Sequence, residues 1–379
     1  MSEEFFTPLG DMDKKDKGKE RKPRKTGRLL VFVLLFISVA SLSFSAFLAA
    51  RMDKMKKDAE NASFTEVPTP DPDTGNPDTV YTAEEMNKLI AEAREEAREE
   101  GISDLKKQIK EVYSGGAPVV SLLRSLYPED IIYYDKGGYV FCPIDESLPM
   151  SPVSYDDITF DETTGLASYA PGGENAGHMG IDISKYQQNV DWKEVKKAGV
   201  EFVMIRVGIR GYGTGALVMD ESFEDNIKGA TKAGLKVGVY FFSQATSETE
   251  ALEEASFVLN AIEKYKVTYP VAIDIEAVND SAARTANLTA AERTDYTIAF
   301  LEAVKAEGYT PLIYGNTKSF CGMLDMSRLS EYDKWFAFYD TEVYFPYEIK
   351  MWQYSEKGSV PGIKGDVDFN ITFDDSFDK

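Results

Sequence analysis

Asp182, Asp274, Glu276 and Asp368 are the residues whose types and spacing could do chemistry. Each sits in a short apolar or β-branched run: GIDIS at 180–184, VAIDIE at 271–276 and GDVDFN at 365–370. Carboxyls enclosed together raise one another's affinity for protons. One can then stay protonated as a general acid while another is ionised. Asp274 and Glu276 alternate with Ile273 and Ile275. Residues two apart on a strand face the same side, with α-carbons roughly 6–7 Å apart. A single strand Asp is commonly only a cap or loop acceptor, so the argument rests on all four converging. A calcium site would also want Asn, Asp and carbonyl ligands in a loop, and magnesium a phosphate substrate, so neither metal nor cofactor is expected.

The runs that carry these acids are also rich in aromatics. Tyr186, Tyr240, Phe242, Tyr314, Trp335, Tyr339, Trp352 and Tyr354 cluster at predicted strand ends, with Gln244, Gln353 and the strand cation Arg206 among them. Flat C–H faces of sugar rings stack on aromatics and their hydroxyls bond to amides, so acids among aromatics suit a glycan. No phosphate loop, nucleophile elbow or dinucleotide fingerprint competes. The glycine-rich GIRGYGTG at 208–215 has neither the spacing nor the helix entry. One histidine and two cysteines leave little for zinc clusters or His-based triads.

Eight strand candidates must position the acids: 180–184, 202–208, 237–243, 271–276, 310–315, 334–340, 349–355 and 366–371. Helical patterns over 220–233, 247–264 and 289–307, with shorter ones near 192–197 and 316–329, separate the first six. This is the pattern of an α/β fold, a TIM-like β/α barrel of parallel strands over 178–375. The last connections, TEVYFPYE and EKGSVPGIKG, are too short and turn-rich for the helical crossover that parallel neighbours need. The final strand should therefore run antiparallel, leaving the ring of helices incomplete there. Its first acid, Asp368, would then lie at the same rim as the ends of the others.

Upstream, the chain changes character. Residues 1–57 hold 13 basic and 7 acidic side chains, a net of +6 that leaves −28 for the rest of a chain of net charge −22. The uncharged run at 29–50 would reach roughly 33 Å as a helix, long enough to cross a bilayer. Cations on its N-terminal side predict a cytoplasmic basic tail at 1–28 and an extracellular remainder, in a single-pass cell-membrane protein. A juxtamembrane segment with a Pro/Asp-rich linker follows at 51–81. A helical stalk with a thin apolar stripe follows at 82–114, compatible with a homodimer through a coiled coil. Residues 117–177 read as a small satellite containing a hairpin. Its tyrosines suit cross-strand packing better than ligand binding, and Cys142 and the distant Cys321 are expected to be separately buried. A charge of −22 argues against nucleic-acid partners.

In order, GIDISKYQQNVDW, FVMIRVG, VGVYFFSQA, VAIDIE, PLIYGN, the Trp of KWFAFYD, MWQYS and GDVDFN resemble glycoside hydrolase family 25, the N-acetylmuramidases, over about half of the chain. The resemblance implies a barrel of eight strands and five helices with an unusual last strand. It also implies hydrolysis of the β-1,4 bond between N-acetylmuramic acid and N-acetylglucosamine in peptidoglycan glycan strands. By position, Glu276 would be the catalytic acid, Asp274 its partner, and Asp182 and Asp368 the remaining active-site acids. Asp366 has no assigned role. Tail, span, stalk and satellite fall outside the resemblance, and the alternative function is a membrane-tethered glycan-binding or envelope scaffold.

Overall fold

The computed structural model describes residues 83–115, 118–339 and 343–378. The predicted span at 29–50 and the linker lie outside the described residues. Among the described residues no helix is long and apolar enough to cross a membrane. The chain divides into two units, Met1–Ile90 and Ala91–Lys379. Helix α1 (Ala83–Tyr113) occupies the predicted stalk, and Met86, Leu89, Ile90 and Ile102 on it are exposed.

Strands β5 (His178–Ile183), β6 (Phe202–Arg210), β8 (Lys236–Phe242), β9 (Val271–Asp274), β10 (Pro311–Asn316), β11 (Asp333–Ala337), β12 (Met351–Gly358) and β13 (Val367–Thr372) form one closed sheet. A short β7 (Leu217–Met219) is appended to β6. All eight expected strands are present. Neighbours are parallel except at β13, which runs antiparallel to both β12 and β5 and closes the barrel. The parallel strands are near-continuous apolar runs because both faces are covered. Phe202, Met204, Ala272, Leu312, Trp335 and Met351 fill the lumen, and Phe377 from the C-terminal tail joins them. Gly180 is required here, since a β-carbon would collide with the Phe202 ring.

Helices α3 (Trp192–Lys197), α4 (Phe223–Ala233), α5 (Glu248–Ile262) and α6 (Ala290–Ala306) cover the outside of the early strands. Their ends follow local chemistry. Asp191, Ser247 and Thr289 cap helix N-termini through their side chains, and Gly234, at φ 78°, ends α4 in the left-handed region. The helix expected over 316–329 is not continuous. Asn316 Oδ1 accepts from the backbone and hydroxyl of Ser319, and Asp325 from Ser327. These local bonds divide the segment into a π turn, Ser319–Met323, and a 3-10 turn, Met326–Arg328.

Helix α2 (Val119–Leu126) leads into the hairpin of β1 (Asp130–Asp135) and β2 (Gly138–Pro143), turned by Lys136 and Gly137, both at positive φ. Tyr134 and Tyr139 lie opposite one another as an edge-to-face pair at 5.3 Å, the cross-strand packing expected of them. A smaller pair follows, β3 (Ile158–Phe160) with β4 (Ala167–Tyr169). Ile131, Leu148, Ala167 and Tyr169 share the apolar cluster that lies outside the barrel wall. Tyr155 and Phe160 pack edge-on against Trp352. Residues 118–177 therefore cover strands that the helices leave bare.

Candidate active site

The antiparallel β13 brings the acids together. Asp182 at the end of β5 is the register partner of Asp368 at the start of β13. On β9, Ala272 faces the lumen while Ile273 and Ile275 join the outer cluster, so Asp274 and then Glu276 face inward. Asp182 Oδ2 accepts from Gln353 Nε2 at 2.7 Å and Asn370 Nδ2 at 2.8 Å. The amide orientations follow from the next layer. Gln353 Oε1 accepts the hydroxyls of Tyr314 at 2.9 Å and Tyr339 at 2.7 Å, and Asn370 Oδ1 accepts from Trp335 Nε1 at 2.7 Å. Trp335 can only donate, so the Asn370 amide must turn its NH2 group toward Asp182, and Gln353 presents its NH2 group to the same oxygen.

Burial raises the Asp182 carboxyl even against those donors. Asp368 is pushed up to about 9, by burial first and then by the charge of Asp182. As register partners buried together, Asp182 and Asp368 form a coupled pair in which both carboxyls are raised. Asp274 is 5% exposed and its Oδ1 has no partner among the described residues. Burial raises its carboxyl well above the usual range, the charge of Glu276 adds to this, and Arg206 opposes it. Glu276, half-buried, is pushed up to about 7 by burial and then by Asp182. Arg206 is already engaged by Asp220, through Nε and Nη2 at 2.8 Å each. The acid rim is therefore short of countercharge and holds protons near neutrality.

A model of glycosyl hydrolases family 25 matches residues 181–363. Those residues form a family 25 glycoside hydrolase domain. Among curated relatives, the uncharacterized protein YegX of Escherichia coli K12 is 28% identical over 199 residues, covering 51% of this chain and 68% of its own. The autolytic lysozyme of Clostridium acetobutylicum is 29% identical over 192 residues, covering 50% of this chain and 54% of its own. The modular autolysin LytC of Streptococcus pneumoniae, solved with a synthetic peptidoglycan ligand, is similar at 25% identity and a TM-score of 0.48. That match covers 56% of this chain and 51% of LytC. The chain thus spans about half the length of the last two.

Within the family 25 domain the expected binding residues separate by depth. Tyr186 is exposed at the rim, with the Arg206 guanidinium 5.3 Å from its ring centre. Tyr339 is 47% exposed with its hydroxyl on Gln353, and Phe242 is half-buried in register with Asp274. Tyr240, Tyr314 and Trp335 form a buried floor, with both tyrosine rings edge-on to Trp335. Three residues lie elsewhere, among them Tyr354, buried against the satellite with its hydroxyl accepting the Ala167 backbone N–H at 3.0 Å. The strand alternation that turns Gln353 inward turns Trp352 outward, where it is fully buried and donates to the Phe338 carbonyl. Gln244 is buried just past β8, accepting from Thr285 at 2.7 Å. Asn370 and Asp220 were not anticipated as site residues. Asn370 had a signal, lying two residues after Asp368 on the same strand face. Asp220 follows the appended β7 and had none.

Proposed function

We propose that this chain hydrolyses the β-1,4 bond between N-acetylmuramic acid and N-acetylglucosamine in peptidoglycan, with Glu276 as proton donor and Asp274 orienting the substrate's own acetamide. The observation that carries this reading is the unpartnered, buried Oδ1 of Asp274 beside Glu276. An acetamide N–H is a donor that such an oxygen lacks. Protonated Glu276 passes its proton to the glycosidic oxygen as the acetamide oxygen attacks the anomeric carbon, and Asp274 stabilises the positive charge on the resulting ring. Glu276, now ionised, takes a proton from the water that opens this intermediate. Asp182 and Asp368 hold the amide network, and Tyr186 and Tyr339 offer rings to the sugars. The printed names of relatives, a lysozyme and an autolysin, support the same substrate class.

We further place the domain outside the cell on the anchor at 29–50, with α1 as a spacer that a second copy could pair with through its exposed apolar positions. Charge supports the anchor: an ectodomain of −28 should not adhere to an anionic wall unaided. Mass spectrometry of digested, purified peptidoglycan tests the reaction. New reducing ends should be muramic acid, and none should form with Glu276→Gln. Glucosamine ends would overturn the bond assignment, and retained peptidoglycan binding without products would favour the scaffold alternative.

A further inference from the structure

Only two cysteines occur in the chain, 179 residues apart, and the fold brings them together. They are free thiols, but neighbours rather than separately buried. Cys142 lies on β2 and its Sγ sits 3.6 Å from the carbonyl oxygen of Cys321, in the π turn that follows β10. The surrounding contacts already seat the hairpin on this turn. Lys318 pairs with Asp135 at 2.6 Å, the Tyr133 hydroxyl occupies the space over Gly322, and Tyr347 accepts the Asp145 backbone N–H at 2.8 Å. Both cysteines are half-buried.

We propose that Cys142 and Cys321 are a disulfide-forming pair that fastens the hairpin to the rim of the family 25 barrel. Strands β10 and β9 are paired neighbours, and the π turn begins three residues beyond Asn316, so the bond would secure the same rim that carries Asp274. The chemistry needs a disulfide-bearing oxidant, such as oxidised glutathione or the disulfide of a thiol oxidoreductase. The Cys142 thiolate attacks one oxidant sulfur and expels the other as a thiolate, giving a mixed disulfide. Cys321 then loses its proton to solvent and attacks the Cys142 sulfur, expelling the second oxidant thiolate. Two protein thiols are oxidised and one disulfide is reduced. The order follows from the environments. The hydrogen bond with Cys321 outweighs burial and brings the Cys142 thiol down to about 7, while the same bond and burial raise Cys321.

The fold already brings Cys142 against Cys321, and the bond closes a long loop that is costly to close in the unfolded chain. The test uses the purified full chain, reduced, desalted and then treated with oxidised glutathione. Maleimide mass tagging should count two thiols before treatment and none after. The chain should stay monomeric on a non-reducing gel, and a non-reduced digest should yield one linked peptide pair containing Cys142 and Cys321. The melting temperature of the oxidised form should exceed that of the reduced form by about 5–10 °C. A Cys142→Ser/Cys321→Ser variant should melt at one temperature with and without glutathione. Thiols that remain free, stable glutathione adducts on either cysteine, chain-to-chain dimers, or equal melting temperatures for the two forms would each overturn the proposal. None of these readouts depends on the hydrolase reading.

Discussion

Glu254 and Glu276 are both carboxylates pushed up to about 7 by burial, yet they sit in opposite surroundings. Glu254, on α5 outside the barrel wall, is fully enclosed and receives Arg210 Nε at 2.7 Å and the Gln244 backbone N–H at 3.3 Å. Arg210 also reaches the carbonyls of Gly215 and Glu250, and Arg284 bonds Glu250 at 2.6 Å and the Gln244 carbonyl at 3.2 Å. Burial alone would raise Glu250, but the Arg284 bond and two from Thr246 bring it down to about 2. These guanidinium-paired acids tie together the loops after β6, β8 and β9. Among the described residues Glu276 has no such partner. Its charged neighbours are the acids Asp182 and Asp274, and Arg206, the cation that acts on those two, is held by Asp220. A buried acid with a guanidinium pins loops, whereas one surrounded by acids keeps a proton to give away.

The contrast is open to direct attack, most strongly at Glu276. Glu276→Gln should lower peptidoglycan turnover by about 10³- to 10⁴-fold while the fold persists. Glu254→Gln should leave the turnover of the folded fraction intact, and equal losses would erase the distinction. Arg210→Met should cost about 3–5 kcal/mol in chemical denaturation, because it strands Glu254 without countercharge; an unchanged midpoint would mean that the guanidinium pins nothing. In a pH–rate series, kcat/KM should fall about tenfold per unit above roughly pH 7 as Glu276 ionises, and a flat profile to pH 9 would rule out Glu276 as the proton donor.

Stability should respond in the opposite sense. The folded carboxyl of Asp274 lies above its unfolded value, so the folded state holds more protons and loses stability as pH rises past the unfolded pKa. Asp274→Asn should therefore gain about 1–2 kcal/mol at pH 8 and almost nothing at pH 4, while losing activity. Urea titrations at the two pH values would read this, and a destabilised variant at pH 8 would refute it.

The smallest effect lies at the far end of the barrel. His178 is bonded by Glu201 at 2.9 Å and Asp375 at 2.7 Å, with Asp378 alongside and Lys236 supplying charge to Asp378. Burial lowers His178, but the two carboxylate bonds prevail and raise it. Its contribution is full below the unfolded histidine pKa and vanishes as pH rises through the folded one. His178→Gln should cost about 0.5–1 kcal/mol at pH 5.5, discounted because its carboxylate partners are solvent-exposed, and less above neutrality. A cost independent of pH would show that only packing of the tail is involved.

Much of the family 25 domain was legible because its signals are local. Apolar runs at strand length separated by capped helices located all eight strands, and the short turn-rich final connection required an antiparallel β13. That one requirement placed Asp368 beside Asp182. The helix expected over 316–329 failed because Asn316 and Asp325 offer side-chain bonds that a helical pattern does not reveal.

By itself, then, the sequence determined the barrel, its odd last strand and the four acids at its rim, since these follow from period-two alternation, capping and connection length. Only the tertiary structure decided which partners those acids meet: Gln353 and Asn370 on Asp182, Arg206 taken by Asp220, Trp352 outside the wall and the two thiols side by side. Such pairings join residues up to 188 positions apart. Their geometry depends on how the sheet closes, and no local pattern encodes closure.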